Sequence, residues 1–496
     1  MTAGVPQSAS NIIRFLLDGE QVSASGLPPT MTVLEYLREV ACRTGTKEGC
    51  AEGDCGACTV VLGELAPDGV RVGYRAVNSC IRLLPTIDGQ ELVTVESLQP
   101  RDGALHPVQQ AMVDNHGSQC GFCTPGFVMS LFALYLHNPT PAREQVLEAL
   151  AGNLCRCTGY RPIIDAGMRM GGYPTPANWS REAAYSSVRV AALRPLRRTQ
   201  SLSFPGFRAP RSCDELAAAF EADPTAVLLA GGTDIGLWVT QQLRDLPSII
   251  YIGEVAELKS IQSDAAGITI GAAVPLTEGW GAIVATYPQL AELAQRFGSP
   301  PVRNSGTLCG NIANGSPIGD AMPVLIALGA EIELRRGSHT RRLPLDQFYL
   351  GYQRKDLASA EFITAVIVPA PQPGRRVASY KVSKRFDQDI SAVCAAFAVD
   401  RQGDRVSSAR IAFGGLAAIP ARARATEAAL IGRPWNLDSI ETAAAALAED
   451  FRPLTDLRAS SAYRLQAAGN LLRRFYFESA GATNAVRTGE VATNAR

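Results

Sequence analysis

Eight of the twelve cysteines form two groups before residue 160, and the first group comprises Cys50, Cys55, Cys58 and Cys80. Their spacing is C-x4-C-x2-C followed by a distant fourth cysteine, which is the plant-type [2Fe–2S] arrangement. Three ligands on one tight loop wrap one side of a small cluster, and a fourth from another strand closes it. Three glycines in the loop allow backbone N–H groups to turn towards the sulfurs. A zinc loop is the alternative, but zinc sites favour paired C-x2-C units and the longer gap fits them poorly.

The second group joins a C-x2-C segment to a C-x-C segment 31 residues further on, and comprises Cys120, Cys123, Cys155 and Cys157. Both pairs are predicted at the starts of helices, whose positive N-terminal ends favour a negatively charged cluster. This spacing alone also suits zinc. Beside a plant-type site, a second redox cluster is favoured because electron transfer uses chains of centres. The remaining cysteines are expected to be small buried hydrophobes: Cys42, Cys213, Cys309 and Cys394.

Two glycine-rich segments could hold a phosphate-bearing cofactor. The first, Ala230 to Ile235, follows an apolar strand, and its glycine pair frees backbone amides to approach phosphate oxygens. The second runs from Ser305 to Asp320, where Thr307, Asn311 and Asp320 could supply hydrogen bonds. From the residues alone, a tight turn and a structural loop remain the alternatives. The chain contains neither G-x-G-x-x-G nor G-x-x-x-x-G-K-[ST], so a Rossmann dinucleotide site and a P-loop have no support.

The elements that would position these residues form a multidomain α+β chain. Strands joined at Asp18-Gly19, a helix capped by Thr32 and Glu35, and further strands predict a small domain over 11–96. From 97 to 172 the hydrophobic period becomes helical and predicts four helices, near 107–115, 125–137, 141–151 and 160–170. The proline-containing residues 173–206 are interpreted as a linker. Alternating strands and helices then predict domains over 207–375 and 378–480.

Composition narrows the class of protein. With 47 basic and 47 acidic residues among 496, the formal net charge is zero, which argues against a nucleic-acid or anionic-membrane binder. Residues Met1 to Ser10 lack a basic start followed by an apolar stretch, so we expect no signal peptide. No apolar run is long enough to predict a membrane span. We therefore expect a cytoplasmic protein, and in such a chain grouped cysteines indicate metal binding or redox chemistry rather than a disulfide framework.

The cysteine motifs carry a resemblance to a known family. The segments GCAEGDCGACTV, QCGFCTPG and NLCRCTGYRPI resemble the two [2Fe–2S] motifs of the molybdenum hydroxylases, and the likeness extends over residues 11–478. It implies a plant-type ferredoxin-like β-grasp domain, a four-helix [2Fe–2S] domain, a non-Rossmann FAD domain of the PCMH/VAO type and an α+β C-terminal flavoprotein domain. The eight cysteines would then hold two [2Fe–2S] clusters, and Gln119 would contact the pterin of a molybdenum centre.

The same resemblance implies, by motif position, a set of FAD contacts. They are Leu228, Leu229, Ala230, Gly231, Gly232, Thr233, Asp234, Phe297, Thr307, Leu308, Cys309, Gly310, Asn311, Asp320 and Lys381. Cys309 departs from the family pattern, because many relatives carry glycine there, and its thiol could crowd the pyrophosphate loop. The mixed-charge segment from Tyr380 to Asp389 corresponds to a loop over the isoalloxazine ring that influences access of NAD and oxygen. A solvated loop without a role is the alternative.

The resemblance implies an enzyme subunit that receives electrons from a molybdopterin centre (Moco) on a partner chain. The electrons would pass through the helical cluster, the plant-type cluster and FAD to NAD⁺, while hypoxanthine or xanthine is oxidised to urate. The implied partner is a molybdenum-binding large subunit in an α2β2 heterotetramer, and no hydroxylating residue is expected in this chain. Fusion of both iron–sulfur domains to the flavin domain favours purine oxidation over the in-class alternative, a member that oxidises aldehydes or N-heterocycles. The out-of-class alternative is a zinc-binding structural module.

Overall fold

The computed structural model describes residues 11–99 and 103–479, which cluster into two compact units. Unit 1 contains the described residues up to Ser260 together with Ala273–Thr277 and Gly298–Thr307. Unit 2 contains Ile261–Ala272, Glu278–Phe297 and the described residues from Leu308 onward. The expectation about a signal peptide falls on residues 1–10 and therefore lies outside the described part of the chain.

Unit 1 begins with a five-stranded mixed sheet in the order β2-β1-β5-β3-β4. Its strands are β1 (Ile13–Leu17), β2 (Glu20–Ala24), β3 (Thr59–Leu65), β4 (Val72–Asn78) and β5 (Glu91–Val93). β1 pairs with β5 in parallel, and the other pairs are antiparallel. The predicted hairpin is confirmed, because Asp18 (φ 52°) and Gly19 (φ 89°) form a two-residue turn that matches the twist of the flanking strands.

The helix after this hairpin carries the predicted cap. Thr32 Oγ1 accepts from Glu35 N at 3.1 Å, and Glu35 Oε2 accepts from Thr32 N at 2.7 Å, which closes a reciprocal capping box. The helix α1 (Val33–Glu35) continues as a wider π-helical turn over Tyr36–Val40. The chain then enters the loop that carries the first three cysteines.

The four predicted helices are confirmed, with ends that differ by at most two residues from those expected. They are α2 (Pro107–Asp114), α3 (Thr124–His137), α4 (Arg143–Leu150) and α5 (Arg161–Arg169). α3 is apolar almost all round and is buried along most of its length, as expected of a central helix. Phe127 and Phe132 on this helix are fully buried. The helix therefore holds the C-x2-C segment, which directly precedes it, against the domain core.

Residues 173–206, interpreted from sequence as a linker, are folded onto the two cysteine-bearing domains and contain α6 (Arg181–Ala184) and α7 (Ser187–Leu193). The Trp179 side chain is 2% exposed and packs edge-on against Tyr74 and Phe132. The Arg189 guanidinium lies 4.2 Å from the Trp179 ring centre and pairs with the buried Glu91. A desolvated cation–π contact contributes about 2 kcal/mol, so this segment helps to fasten the two domains together.

The rest of unit 1 contains a four-stranded sheet in the order β6-β7-β9-β8. Its strands are β6 (Leu202–Phe204), β7 (Phe207–Ala209), β8 (Val227–Leu229) and β9 (Ile249–Tyr251), and the accompanying helices are α8 (Cys213–Ala222) and α9 (Ile235–Thr240). One buried cluster joins Phe15 and Leu62 of the first sheet to Phe207, Leu229 and Ile249 of this one. The shared core places the glycine loop after β8 close to the first cysteine group.

Unit 2 contains two larger sheets and a short hairpin. The first sheet has the order β10-β11-β16-β12-β13, the hairpin is β14-β15, and the second sheet has the order β17-β18-β19-β20. The strands are β10 (Ile261–Ser263), β11 (Gly267–Gly271), β12 (Glu331–Arg336), β13 (His339–Pro344), β14 (Tyr349–Gly351), β15 (Arg354–Lys355), β16 (Phe362–Pro369), β17 (Arg376–Val382), β18 (Val393–Gln402), β19 (Arg405–Gly414) and β20 (Ala421–Arg422). Every strand pair in this unit is antiparallel.

Nine α-helices follow residue 260 in the described part of the chain. They are α10 (Leu276–Thr286), α11 (Ala291–Gln295), α12 (Pro300–Arg303), α13 (Leu308–Asn314), α14 (Ala321–Leu328), α15 (Leu345–Phe348), α16 (Arg424–Leu430), α17 (Leu437–Asp450) and α18 (Ser461–Ser479). α12 and the first two residues of α10 belong to unit 1. In the C-terminal core, Phe397 of β18 stacks on Phe475 of α18 with ring centres 5.0 Å apart. Across residues 11–99 and 103–479, no helix is both long and apolar enough to cross a bilayer.

Candidate iron–sulfur and flavin sites

The first cysteine group lies on the loop before β3, and its fourth member follows β4. The Cys55 backbone N donates to Cys50 Sγ at 3.3 Å, and the sulfurs of Cys58 and Cys80 are 3.2 Å apart. The Cys58 and Cys80 side chains are buried, and the nearby charge of Cys50 acts to raise the pKa of both. The structure therefore brings the four predicted side chains together as two pairs.

This pairing suits a binuclear cluster better than a single metal ion. A zinc ion needs its four ligands around one point, whereas a [2Fe–2S] cluster takes two thiolates on each of two irons. The paired sulfurs fit such a cluster, in which Cys50 and Cys55 would hold one iron and Cys58 and Cys80 would hold the other.

Hydrogen bonds in this group favour the thiolate form that iron binds. The Cys55 thiol donates to Cys50 Sγ and, together with backbone N–H groups, lowers the pKa of Cys50 to about 5 in spite of its partial burial. The bond from the Cys80 thiol likewise lowers the pKa of Cys58. The lowered pKa of one sulfur in each pair favours the deprotonation that iron binding requires.

Left-handed backbone shapes the loop around these sulfurs. Gly53 (φ 79°) and Gly56 (φ 70°) adopt it, and so does Ala51 (φ 54°), which carries a side chain. At Gly49, a Cβ would lie 2.8 Å from Cys55 Sγ. A larger residue at 49 would displace the sulfur, so the glycines predicted to expose backbone amides also leave room for the cluster.

The second cysteine group also converges as two pairs. The Cys123 side chain hydrogen-bonds to Cys155, and that of Cys157 hydrogen-bonds to Cys120. Burial and the neighbouring Cys155 raise the pKa of Cys123 to about 12. Cys155 Sγ accepts from Thr158 Oγ1 at 3.3 Å and from Thr158 N at 3.5 Å, and these bonds lower the Cys155 pKa against the effect of burial. This arrangement again fits two thiolates on each of two irons.

Both cysteine pairs were predicted to lie at helix starts, but only one of them does. Cys123 is the N-cap of α3, so its pair lies at a helix start. The other pair lies on the loop between α4 and α5, and α5 begins only at Arg161, after Tyr160. Tyr160 has a φ of 69°, which is incompatible with right-handed helix and delays the start beyond the cysteines.

Backbone contacts join the two groups. The Leu154 N–H, adjacent to Cys155, donates to Cys55 O at 3.0 Å. Asn153 Nδ2 donates to Gly56 O at 3.1 Å, and the buried Ser130 hydroxyl holds the other end of the same amide at 2.6 Å. One hydrogen bond therefore connects a ligand residue of the first group to the neighbour of a ligand in the second.

Three glycines set the distance across this junction. A Cβ at Gly56 would lie 2.2 Å from Gly152 O, and a Cβ at Gly126 would lie 2.1 Å from Gly56 O. No side chain fits at either place, so the backbones of the two domains meet directly. The sequence offered no sign of this contact, because the two segments are far apart along the chain.

The second group lies at the surface, unlike the first. Gln119, Cys120 and Cys157 are exposed, and so are Phe122 and Tyr160. Phe122 has 48% of its surface accessible, which is unusual for a large aromatic residue next to a cofactor site. Gln119, predicted to contact a pterin, therefore sits on this exposed face.

The predicted flavin residues of unit 1 lie on β8, on the loop that follows it, and at Thr307. Leu228 and Leu229 are in the strand, and Ala230, Gly231, Gly232, Thr233 and Asp234 form the loop before α9. A Cβ at Gly231 would lie 1.8 Å from Ser305 O, and Gly232 has a φ of 75°. Both glycines are therefore required by the backbone, which brings the two glycine-rich segments together as a phosphate-binding loop would need.

The predicted flavin residues of unit 2 include two buried polar features. Asn311 Oδ1 is buried and, among the described residues, has no hydrogen-bond partner. An unpaired buried oxygen costs about 1–3 kcal/mol, which a hydrogen bond from a bound cofactor would offset. Lys381 Nζ pairs with Asp320 Oδ2 at 2.5 Å, and the Ser391 hydroxyl donates to Asp320 Oδ1 at 2.6 Å. The Asn311 oxygen fits a hydrogen-bond donor such as a hydroxyl group of FAD, whereas Asp320 and Lys381 are already bonded to each other.

The other predicted flavin residues of unit 2 are largely apolar. Phe297, Leu308 and Cys309 are buried, and Gly310 follows them on α13. The Cys309 Sγ points to Ile270 O at 3.8 Å, and burial raises its pKa to about 12. The thiol is therefore protonated and lies against the protein backbone.

Arg296 holds the mixed-charge loop and was not singled out from the sequence. Its side chain is buried, and its guanidinium donates to Lys381 O at 3.0 Å, to Phe386 O at 3.2 Å and to Ser383 Oγ at 3.1 Å. The guanidinium also lies 4.8 Å from the centre of the Phe386 ring. In the sequence, the only feature that could have identified Arg296 is its position directly before the predicted flavin contact Phe297.

The loop is also bonded internally. Asp389 Oδ2 accepts from Arg385 N at 2.8 Å, and Arg385 Nη2 donates to Gln388 O at 3.2 Å. Backbone N–H groups lower the pKa of Asp389 against the effect of burial. Asp389 is therefore part of the loop's own structure, and a substitution there changes more than charge.

Four family models match the chain in succession. They are a "2Fe-2S iron-sulfur cluster binding domain" over residues 15–83, a "[2Fe-2S] binding domain" over 94–168, an "FAD binding domain in molybdopterin dehydrogenase" over 202–371 and a "CO dehydrogenase flavoprotein C-terminal domain" over 378–479. The α+β multidomain fold class predicted from the sequence is therefore confirmed, and so are the predicted [2Fe–2S] and FAD-binding domains.

Similar proteins point the same way. The chain is 32% identical to a xanthine dehydrogenase of Emericella nidulans, over 94% of this chain and 38% of that protein. It is 29% identical to aldehyde oxidase 2 of Mus musculus, over 95% of this chain and 39% of that one. Among solved structures, a carbon monoxide dehydrogenase from Hydrogenophaga pseudoflava is 31% identical with a TM-score of 0.52, over 54% of this chain and 94% of that one. The chain thus spans less than half the length of the two longer relatives.

Proposed function

Because the chain belongs to the molybdenum hydroxylase family, among its [2Fe–2S]/FAD electron-transfer members, we propose that it serves as the small subunit of an NAD-dependent xanthine dehydrogenase. It receives electrons from a molybdopterin centre on a partner chain, during oxidation of hypoxanthine or xanthine to urate. They pass through the Cys120 group, then the Cys50 group, then FAD, to NAD⁺. The clusters supply one-electron steps and the flavin supplies the hydride that NAD⁺ accepts. The protein's own task is to hold, space and shield these groups.

The observation that carries this proposal is the bonded series of segments inside unit 1. Leu154 N–H donates to Cys55 O and so joins the second cysteine group to the first. On its other side, the first group is held by α9, the helix that follows the glycine loop after β8: Gln241 Nε2, directly after α9, donates to Cys50 O at 2.8 Å. Such a series has the order that electron flow requires, whereas a zinc scaffold would not need it.

The exposed face of the second cysteine group supports a partner at that end. Phe122, Leu154 and Tyr160 present apolar surface beside the exposed Cys120 and Cys157. Exposed aromatic residues around a polar site are typical of protein interfaces. We assign this face to the molybdenum-binding large subunit, in an α2β2 heterotetramer, with Gln119 turned towards its pterin.

The substrate is proposed from the relatives and from domain fusion. The similarity to the Emericella nidulans xanthine dehydrogenase covers both iron–sulfur domains and the flavin domains on one chain. The likeness to a mouse aldehyde oxidase keeps aldehyde or N-heterocycle oxidation as the second candidate. Assays of the two-subunit enzyme with xanthine, hypoxanthine and an aromatic aldehyde decide between them, and urate formation is the expected result.

We assign the acceptor role to NAD⁺ and its modulation to the loop that follows Lys381. The loop is fixed by the buried Arg296, so a solvated segment without a role is not the simplest interpretation. Arg296→Lys removes the forked guanidinium and keeps the charge. We expect this variant to change the ratio of NAD⁺ to oxygen turnover in the two-subunit enzyme, with unchanged cluster spectra. Equal turnover with both acceptors in variant and wild type would leave the loop without this role.

The remaining assignments follow from the same chemistry. The two [2Fe–2S] clusters and FAD are the resident cofactors, and Moco belongs to the partner. Grouped cysteines that bind iron–sulfur clusters are typical of a reducing compartment, and we assign the protein to the cytoplasm on that ground.

The composition of the purified protein tests the proposal against the zinc alternative. We expect about four iron atoms and about one non-covalent FAD per chain, with a brown-red visible spectrum. We also expect NADH oxidation with an artificial acceptor by this chain alone, without urate formation. A colourless protein with stoichiometric zinc, or urate formation by the purified single chain, would contradict the proposal.

A further inference from the structure

Two residues at the C-terminal end of α9 donate hydrogen bonds to the loop that carries Cys50. Thr240 Oγ1 donates to Ala51 O at 2.6 Å, and Gln241 Nε2 donates to Cys50 O at 2.8 Å. α9 is the helix that follows the glycine loop after β8. Neither Thr240 nor Gln241 belongs to a cysteine motif or to the predicted flavin contacts, and the proposed function assigns no role to the Thr240 bond.

The Thr240 bond ends on a peptide group that also faces a sulfur. Ala51 O and the Glu52 N–H belong to the same peptide, and in a trans peptide they point in opposite directions. The Glu52 N–H faces Cys50 closely enough to lower the pKa of its thiol. The Thr240 hydroxyl and the Cys50 sulfur therefore lie on opposite sides of one peptide group.

This peptide plane needs an external restraint. Ala51 has a φ of 54°, which is unfavourable for a residue with a side chain relative to the right-handed region. Relaxation of Ala51 would rotate the following peptide and turn the Glu52 N–H away from Cys50. The hydroxyl of Thr240 opposes that rotation.

The hydroxyl has only one proton to give, and the geometry directs it to the loop. Thr240 Oγ1 is 2.6 Å from Ala51 O and 3.1 Å from Gly236 O in its own helix. The shorter distance assigns the proton to Ala51. A carbonyl that accepts a hydrogen bond polarises its peptide, which strengthens the N–H at the other end as a donor.

Hydrogen bonds to cluster sulfurs favour the more negative, reduced state and so raise the reduction potential. We propose that Thr240 is a positioning residue that sets the reduction potential of the cluster held by Cys50, Cys55, Cys58 and Cys80, because its hydroxyl fixes the Ala51–Glu52 peptide against Cys50. The proposal rests on the proposed function only in requiring that the cluster is present.

The test is an EPR-monitored redox titration of the purified full chain carrying Thr240→Val, which replaces the hydroxyl by a methyl group. The potential of the first cluster is expected to become more negative, while that of the second cluster stays unchanged. Thr240→Ser retains the hydroxyl and is expected to keep the wild-type potential. Hyperfine coupling to exchangeable protons near the reduced first cluster is expected to weaken in Thr240→Val and to persist in Thr240→Ser.

Two further variants control for indirect effects. Thr442 donates only within its own helix, to Asp438 O at 2.9 Å, so Thr442→Val removes a helical threonine hydroxyl far along the chain and is expected to change neither potential. Gln241→Met removes the bond to Cys50 O, whose peptide N–H belongs to Ala51, and is expected to shift the first potential less than Thr240→Val. Should Thr240→Val lose iron, Thr240→Ala makes the same test without added bulk.

The outcomes separate this inference from the proposed function. Absence of iron in the wild-type protein would overturn the proposed function itself. Two normal clusters in the wild type, with an unchanged first potential in Thr240→Val or Thr240→Ala, would overturn the role of Thr240 alone. An equal shift in both clusters, or an equal shift in Thr240→Val and Thr240→Ser, would also overturn it, because neither follows from one hydroxyl at one peptide.

Discussion

The two cysteine groups differ in how deeply they are buried and in which residues donate or direct their hydrogen bonds. The first takes three cysteines from one short loop, buries Cys58 and Cys80, and is held from outside by Thr240 and Gln241. The second takes one pair from each of two loops, leaves Cys120 and Cys157 exposed, and relies on its own Thr158 for hydrogen bonds. Burial and outside support suit an internal relay, whereas exposure suits exchange of electrons with another protein.

Replacement of one cysteine ligand should have the largest effect, and it should remove the cluster of one group without affecting the other. Cys55→Ser is expected to lower the iron content from about four to about two atoms per chain, because a [2Fe–2S] cluster needs all four thiolates. Iron analysis and EPR should show loss of the first cluster's signal and retention of the second. Cys42→Ser, at an exposed cysteine outside both groups, is the matched control and should keep all the iron. Loss of both signals in Cys55→Ser would mean that the groups do not form independently.

The glycine junction gives the next largest effect. Gly126→Ala would place a Cβ 2.1 Å from Gly56 O, and such overpacking typically costs about 1–3 kcal/mol. The domains are expected to separate slightly, which should lower the unfolding temperature and weaken the magnetic interaction between the two reduced clusters. Gly172→Ala, where no atom lies within 4 Å of the new Cβ, is the control. Unchanged spin coupling in a destabilised Gly126→Ala protein would argue that the junction does not set the spacing of the clusters.

Acid should distinguish the two cysteine-bearing domains. Burial lowers the pKa of His106, the N-cap of α2, to about 4. In an unfolded chain, a histidine takes up its proton near pH 6.5. Neutral His106 therefore contributes its full share to the free energy of unfolding above that pH, and this share is lost as pH falls towards 4. At pH 5 the helical domain should lose about 2 kcal/mol. In the first domain, burial raises the pKa of Asp18 and Glu91, so protonation there favours the folded state instead.

Hydrogen exchange at pH 7 and pH 5 measures this difference. Amides of α3 should lose protection at pH 5 relative to amides of β3. His106→Asn keeps a capping side chain and removes the titrating ring, so its α3 protection should no longer depend on acid in this range. An equal acid response in wild type and His106→Asn would assign the effect to another group.

The smallest effect on the chain itself should come from the exposed face of the second group. Phe122→Ser changes a residue with 48% of its surface accessible, so the stability of the isolated chain should change by less than about 0.5 kcal/mol. Binding of the molybdenum subunit should weaken, because an aromatic anchor is lost from the proposed interface. Leu350→Ser in the β14–β15 hairpin, also exposed, is the control. Equal affinity of Phe122→Ser and wild type for the large subunit would place the partner elsewhere.

Local sequence predicted much of the site and of the fold. The spacing of the eight cysteines predicted the two groups that the structure brings together, and the hydrophobic period predicted the four helices of the second domain, because spacing and periodicity are local properties. The pairing of the sulfurs, the Leu154–Cys55 hydrogen bond and the Gly56–Gly126 contact could not be predicted, because each joins segments far apart in sequence. Arg296, Thr240 and Gln241 were missed for the same reason: each acts on the backbone of a distant loop, and nothing about an isolated arginine, threonine or glutamine signals that.

Stepwise reduction of the purified chain by NADH tests the central claim most directly. If both cysteine groups hold [2Fe–2S] clusters in electronic contact with a flavin that reacts with NADH, anaerobic titration should transfer about four electrons per chain, one to each cluster and two to FAD. Bleaching of the visible spectrum and the appearance of two EPR signals should follow the same titration. Uptake of only about two electrons, with both clusters remaining oxidised when full iron content has been verified, would contradict the account.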